Sequence, residues 1–279
     1  MTDTTEIITL ADNIVVDRGL LAEHGLAFLV RVRGRSFLFD TGAGAAVVHN
    51  ALSLGIDPRE ITAVVLSHGH DDHTGGLKKI CEITGPLPVY AHPDALTAKY
   101  RVKPEKEPQY IGIPWSRKEL EESGAIWHLS REPLALAEGV LLTGEIPRRR
   151  DFENPGPEFR ILAGEEYIQD RLLDDQALVI STKAGPVVVL GCAHAGLTNT
   201  LEHVLTLTGA GRIYAVIGGT HLKDAGEERL ERTVRALPRF GVQYFIASHC
   251  TGFRAGVALY QALGDKFALN EVGRRFKVG

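Results

Sequence analysis

Cysteine, methionine and tryptophan are scarce in this chain of 279 residues, which has three, one and two of them. Cys81, Cys192 and Cys250 follow no framework spacing, so a disulfide-stapled secreted scaffold is excluded and a reducing compartment is expected. No apolar run approaches the roughly 18 residues of a membrane span. The opening stretch MTDTTEIITLADN lacks a basic segment followed by an apolar one, so no signal peptide is visible. Excess positive charge is also missing: the formal net charge is −4, and no global field favours nucleic acid or an anionic membrane. The expectation is a cytoplasmic protein that acts on a small molecule, with no nucleic-acid or membrane partner. Its oligomeric state is left open.

The chain has ample material for a core, with 44 % hydrophobic against 24 % charged residues. Five segments repeat one plan, an apolar β-rich run, a Gly-rich or polar loop, then an amphipathic stretch. They begin at RSFLFD, ITAVVLS, GPVVVLG, RIYAVIGG and VQYFIAS. Short Val/Ile-rich runs bounded by glycine read as buried strands, and the stretches after them carry helical spacing. The class is α/β, with two similar halves suggested by the recurring unit. Residues 93–135 hold Pro93, Pro104, Pro108, Pro114 and Pro133 and are read as an irregular insertion in a single domain spanning 1–279.

The histidines carry the functional signal. Of eleven, six lie just past a predicted strand end: His68, His70, His73, His194, His221 and His249. In α/β folds the loops at carboxyl ends of strands converge on the ligand crevice. The stretch SHGHDDHTGG, residues 67–76, puts three histidines and two aspartates into six positions directly after an apolar run. Neutral imidazole and carboxylate suit zinc, iron or manganese. His68 and His70, two apart in extended chain, point the same way and can clasp one ion. Asp72 and His73 follow in a turn and can hold a second. A bound ion lowers the pKa of water to about 7 and so supplies a nucleophile at neutral pH. A solvated polar loop is the bland alternative, and for His194 or His249 taken alone it would win. The cluster upstream reverses that judgement.

His68-Gly-His70-Asp71-Asp72-His73 fits H-x-H-x-D-H, and on it the sequence resembles the metallo-β-lactamase superfamily. The resemblance implies an αβ/βα four-layer sandwich with two mixed β-sheets and one or two metal ions at one edge. It implies that His68, His70 and His194 bind the first ion, and Asp72, His73 and His249 the second. Asp40 in FLFDTG matches the strand-end Asp that supports the metal loop. Asp72 and His221 are the candidates for catalytic proton transfer. Zinc is the expected ion, with iron or manganese as alternatives. The phrases LLTGEIPR, DDQALVI, GCAHAGLTNT, IGGTHL and SHCTG are similar to a branch that includes the methanopterin-pathway synthase joining a dihydropterin to a ribofuranosyl-aminobenzene phosphate. The expected activity is metal-dependent hydrolysis of a small, phosphorylated or pterin-like substrate, and the alternative is a transferase of the synthase type. The sequence departs from the superfamily at the bridging carboxylate, where Gly219 stands.

Other features weigh less. GAGAAV, residues 42–47, ends in Val47 where a dinucleotide loop needs Gly or Ala, so it reads as a turn into a helix. The basic run IPRRR, residues 146–150, reads as a solvated loop or as a phosphate clamp. Asp174 and Asp175 read as a turn before a strand, and Cys250 as a packed thiol or a thiolate ligand.

Overall fold

The computed structural model describes residues 4–279. The chain divides into two compact units. The first runs through Ser130 and adds Pro155–Asp174 and Glu271–Val278; the second comprises Arg131–Asn154 and Asp175–Asn270, with Gly279.

The first unit is built on a seven-stranded sheet. Its order is Arg275–Val278, Thr5–Ala11, Ala27–Val32, Arg35–Phe39, Ala63–Val65, Leu87–Ala91 and Ala125–Leu129. The first three junctions are antiparallel and the last three parallel. The switch follows from the connections. A two-residue turn at Arg33 and Gly34 joins one antiparallel pair, whereas parallel neighbours need crossovers. The crossovers carry the helices Val47–Ser53, Leu77–Thr84 and Arg117–Glu122. Leu29, Leu38, Val64, Leu77, Ile80 and Val89 are fully buried in the core of this unit.

The second unit repeats the plan. Its seven strands run Phe267–Leu269, Tyr244–Ser248, Ala215–Gly219, Val187–Leu190, Ala177–Ile180, Val140–Leu142 and Leu134–Ala137. Three junctions are again parallel and three antiparallel. The helices Leu197–Thr208, Glu227–Ala236 and Phe253–Leu263 follow its parallel strands. Val188, Leu201, Val216, Phe245 and Leu259 are buried in its core. Both sheets are mixed, as expected, and each presents the carboxyl ends of parallel strands along one edge.

Residues 93–135, expected to be irregular, are ordered. They hold the strands Lys99–Arg101 and Gln109–Tyr110, the helix Arg117–Glu122 and the edge strand Ala125–Leu129. The prolines mislead because they fall at element starts and in connections, where a missing N–H costs nothing. Pro93 opens a short 3-10 turn. Pro114 precedes the Ser116–Glu119 capping box that starts the helix. The two short strands join Phe159–Ala163 and Glu166–Gln169 in a separate four-stranded antiparallel sheet within the first unit. Among the described residues no helix is long and apolar enough to cross a membrane.

Lys99 is the unusual residue of that small sheet, buried to 1 % exposure. Its ammonium donates to Asp170 Oδ2 and Asp174 Oδ1, each at 2.9 Å. Burial by itself would lower the Lys99 pKa, but the two carboxylates outweigh it and the group stays charged. The other oxygen of Asp174 accepts the Gly69 N–H at 2.8 Å, in the middle of the H-x-H segment. Replacing Lys99 with Met leaves two buried carboxylates without their counter-charge. The expected cost is about 3–5 kcal/mol, the range for breaking a buried ion pair, measured by urea unfolding of Lys99→Met against the parent.

Candidate functional site

In the first unit the parallel strands Arg35–Phe39 and Ala63–Val65 end side by side, and the Asp40 N–H donates to the Val65 carbonyl at 2.9 Å. Asp40 is fully buried and turns the chain with a left-handed φ of 60°. Its carboxylate takes three hydrogen bonds: from the Ser67 N–H at 2.7 Å, the Ser67 hydroxyl at 2.6 Å and His73 Nδ1 at 2.7 Å. This accounting fixes tautomers. The Ser67 hydroxyl has one proton and gives it to Asp40, so Ser67 Oγ accepts from His68 Nδ1, which is 2.8 Å away. The lone pair of His68 then resides on Nε2. By the same logic the lone pair of His73 resides on its Nε2.

His68 Nε2 and His70 Nδ1 lie 3.0 Å apart. Donors of one tetrahedral ion with bonds of 2.0–2.1 Å would be about 3.3 Å apart. His68, Asp72 and His73 also gather, with donor atoms within 4.8 Å of one another. The donor set and its spacing therefore fit a divalent ion. The His70 ring stacks on Phe159 with centroids 5.4 Å apart, which gives the loop an apolar wall. Asp72 is partly exposed, and one of its oxygens lies 3.5 Å from His24 Nε2.

Burial pushes the His70 pKa down to about 3. Burial and the neighbouring His73 and His70 place His68 well below its usual range as well. At neutral pH both rings are uncharged, the form in which imidazole binds metal. The x of H-x-H has its own constraint: a Cβ on Gly69 would stand 2.1 Å from the Ala95 carbonyl oxygen. The loop of residues 42–47 is closed in another way. The Glu23 carboxylate accepts the N–H groups of Ala43, Ala45 and Ala46, the donors that a phosphate would use in a dinucleotide fold.

In the second unit the parallel strands Val187–Leu190, Ala215–Gly219 and Tyr244–Ser248 end in loops bearing Cys192 and His194, His221, and His249 and Cys250. Ala193, His221 and His249 hold left-handed φ values of 54°, 50° and 46°. The His194 and His221 rings lie 4.2 Å apart. The His194 loop is braced by Asp175 Oδ2, which accepts the Ala195 N–H at 2.8 Å, and by Arg148, which donates to the His194 carbonyl at 3.0 Å. Glu153 caps the following helix by accepting the Thr198 and Asn199 N–H groups at 2.7 and 2.8 Å. The His221 N–H donates to Cys250 Sγ at 3.2 Å.

Position 219 explains its own departure from the pattern. A Cβ there would lie 2.5 Å from the Gly191 carbonyl oxygen and 2.6 Å from Cys250 Sγ. A carboxylate cannot be mounted on this backbone without displacing both. The basic run is also accounted for. Arg148 braces the His194 loop, the Arg149 and Arg150 N–H groups donate to Asn199 Oδ1, and the Arg150 guanidinium pairs with Glu202. A cleft of about 250 Å³ lined by Arg150, Phe152, Arg232, Arg235 and Arg239 is balanced by carboxylates: Glu202 pairs with Arg150 and Arg239, Asp151 and Glu228 with Arg232, and Glu231 with Arg235.

Comparison with known proteins bears on the family and the fold. The sequence model of the metallo-β-lactamase superfamily matches residues 21–165. The chain is 33 % identical, over 99 % of its length and 97 % of the relative's, to the 7,8-dihydropterin-6-methyl-4-(β-D-ribofuranosyl)-aminobenzene-5'-phosphate synthase of Methanocaldococcus jannaschii. The chain belongs to the metallo-β-lactamase superfamily. Its structure is similar to that of Tm1679, a metal-dependent hydrolase of the β-lactamase superfamily, with a TM-score of 0.83, 29 % identity and coverage of 98 % and 99 % of the two chains. It shares its fold with the Zn²⁺-bound PqqB of Methylobacterium extorquens at a TM-score of 0.56 and 13 % identity, over 97 % and 99 % of the two chains. The α/β metallo-β-lactamase fold expected from the sequence is therefore established.

Several supporting residues carry no local sequence signal. Ser67 precedes the motif and reads as a strand-end residue. Lys99, Phe159 and Glu153 act at separations of tens of residues, which one sequence does not reveal. Asp174 and Asp175 look like a turn, yet each grips a loop of candidate ligands within its own unit.

Two outcomes follow. Asp40→Ala removes the acceptor that orients His73 and Ser67, and metal affinity should fall by about 10–100-fold, the usual effect of losing such a support; chelator-competition titration measures it. In metal-free protein, His70 binds a proton more readily unfolded than folded. Stability is therefore full above the ordinary histidine pKa of 6.5 and falls as pH drops from there towards about 3. Urea unfolding between pH 7 and pH 4 tests the sign.

Proposed function

We propose that the protein is a metal-dependent hydrolase of a small phosphorylated substrate. The observation that carries the reading is the neutral His68–His70 pair, whose ring nitrogens lie 3.0 Å apart and in which the tautomer of His68 is set through Ser67 and Asp40. The candidate ligands implied by the family resemblance are retained: His68, His70, Asp72 and His73 in the first unit, and His194 and His249 in the second. Zinc fits the nitrogen-rich donor set best, and iron or manganese are alternatives. One or two such ions, when bound, supply Lewis acidity and bring the pKa of water near neutrality.

The protein's own groups have separable tasks in this reading. Asp40 and Ser67 hold the rings in their ligating tautomers. Phe159 covers one face of His70 and keeps water from it. Asp72, partly exposed beside His24, accepts a proton from the attacking water. His221, half-buried next to His194, donates a hydrogen bond or a proton to the departing oxygen.

A second reading is condensation of the synthase type. It is supported by the 33 % identity to the Methanocaldococcus jannaschii synthase along almost the whole chain. The same groups would then steady charge on a diphosphate leaving group.

One experiment separates these readings. Metal-loaded protein is incubated with phosphate esters, and separately with a dihydropterin diphosphate with and without a ribofuranosyl-aminobenzene phosphate. Phosphate release without an acceptor supports the hydrolase; a coupled product that needs both partners supports the synthase. Absence of metal-dependent turnover in every arm defeats both. His70→Ala should lower whichever activity is found by at least about 100-fold, beyond the effect of losing a supporting residue, while circular dichroism shows the fold retained.

A further inference from the structure

The second unit holds a cluster whose two thiols this reading does not use. The thiols of Cys192 and Cys250 and the imidazole of His221 lie with their donor atoms within 4.8 Å of one another. Both thiols are buried, at 4 % and 9 % exposure, and neither cysteine forms a disulfide. We propose that Cys192, His221 and Cys250 form a sulfur-rich metal site of their own, taking zinc or another thiophilic divalent ion.

Three observations converge on it. The donor types are those of a Cys₂His site, which in catalytic zinc proteins leaves a fourth position for water or substrate. Tetrahedral coordination with Zn–S near 2.3 Å and Zn–N near 2.0–2.1 Å spaces the donors about 3.5–3.8 Å apart. The cluster would have to draw in by at most about 1.3 Å. The backbone is shaped around the sulfur as well. Glycine at 219 leaves the volume that Cys250 Sγ fills, since a Cβ there would stand 2.6 Å away. The His221 N–H points at the same sulfur at 3.2 Å, a donor that stabilises a thiolate. His221 does this from a left-handed turn of φ 50°.

The site also answers a question of charge. A carboxylate at position 219 would bring one negative charge to the second unit, and Gly219 brings none. Two thiolates supply two, each thiol releasing its proton to solvent as the ion binds. The soft sulfurs would give this set a preference for zinc, cobalt or cadmium over magnesium or manganese.

The site needs no residue of the H-x-H-x-D-H segment, and with His221 as a ligand the proton donor named above would have to be another group. Its test is spectroscopic. The reduced full-length protein is titrated with Co²⁺, and thiolate-to-cobalt charge-transfer absorption in the near ultraviolet is followed. The band should appear in the parent, persist in His70→Ala and Cys81→Ser, and vanish in Cys250→Ser. Cobalt binding without the band overturns the proposal, as does a band that survives both Cys250→Ser and Cys192→Ser. Loss of the band in His70→Ala overturns its independence of that segment. Should the cysteine variants not fold, X-ray absorption of the zinc-loaded parent decides: a sulfur shell near 2.3 Å supports the site, and a shell of nitrogen and oxygen alone removes it. The hydrolase reading fails by a different measurement, metal-dependent turnover, so the two are told apart.

Discussion

A buried carboxylate has to be satisfied, and that requirement at Asp40 organises the first unit. In a dry interior an unpaired carboxylate is costly. Asp40 meets the cost with three donors, and each donor fixes something else. The Ser67 N–H fixes the path of the chain leaving its strand. The Ser67 hydroxyl fixes the tautomer of His68. His73 Nδ1 fixes the direction in which its other nitrogen faces. A single side chain at the end of one strand thus sets the chemistry of the loop on the next.

The two units apply one solution twice. Antiparallel pairing builds half of each sheet. Parallel pairing builds the other half, and it forces every crossover loop to leave from the same edge. In the first unit that edge carries Asp40 and the H-x-H-x-D-H segment. In the second it carries the loops of His194, His221 and His249. The bracing differs in detail, with Lys99 and Asp174 behind Gly69 and Arg148 and Asp175 around His194. In both, a loop that must stay rigid is held by charge buried beneath it.

Much of this was legible in the sequence because the signals are local. Apolar runs before polar loops announce strand ends, and H-x-H-x-D-H announces a metal loop within six residues. Asp40 was legible through its place in FLFDTG. The order in residues 93–135 was hidden, because five prolines read as irregularity unless their positions relative to element starts are known. The role of Arg148 was hidden for another reason: a run of three arginines looks alike whether it faces solvent or, as here, reaches a carbonyl 46 residues away. Gly219 was legible as a departure but not as a necessity. Its reason lies in a sulfur from position 250 and a carbonyl from position 191, which only the folded chain brings together.

Four corners at the strand ends, at Asp40, Ala193, His221 and His249, hold side chains in left-handed backbone. Such residues cost of order 1–3 kcal/mol each where the surroundings enforce them. Only glycine adopts that conformation freely; asparagine, aspartate and histidine tolerate it better than most, and β-branched residues hardly at all. The range of substitutions open to these positions is therefore narrowed by the backbone before any ligand is considered. Among relatives, an invariant histidine or aspartate at such a corner would reflect two pressures at once. Invariance alone would not separate a metal ligand from a residue kept because the turn admits little else.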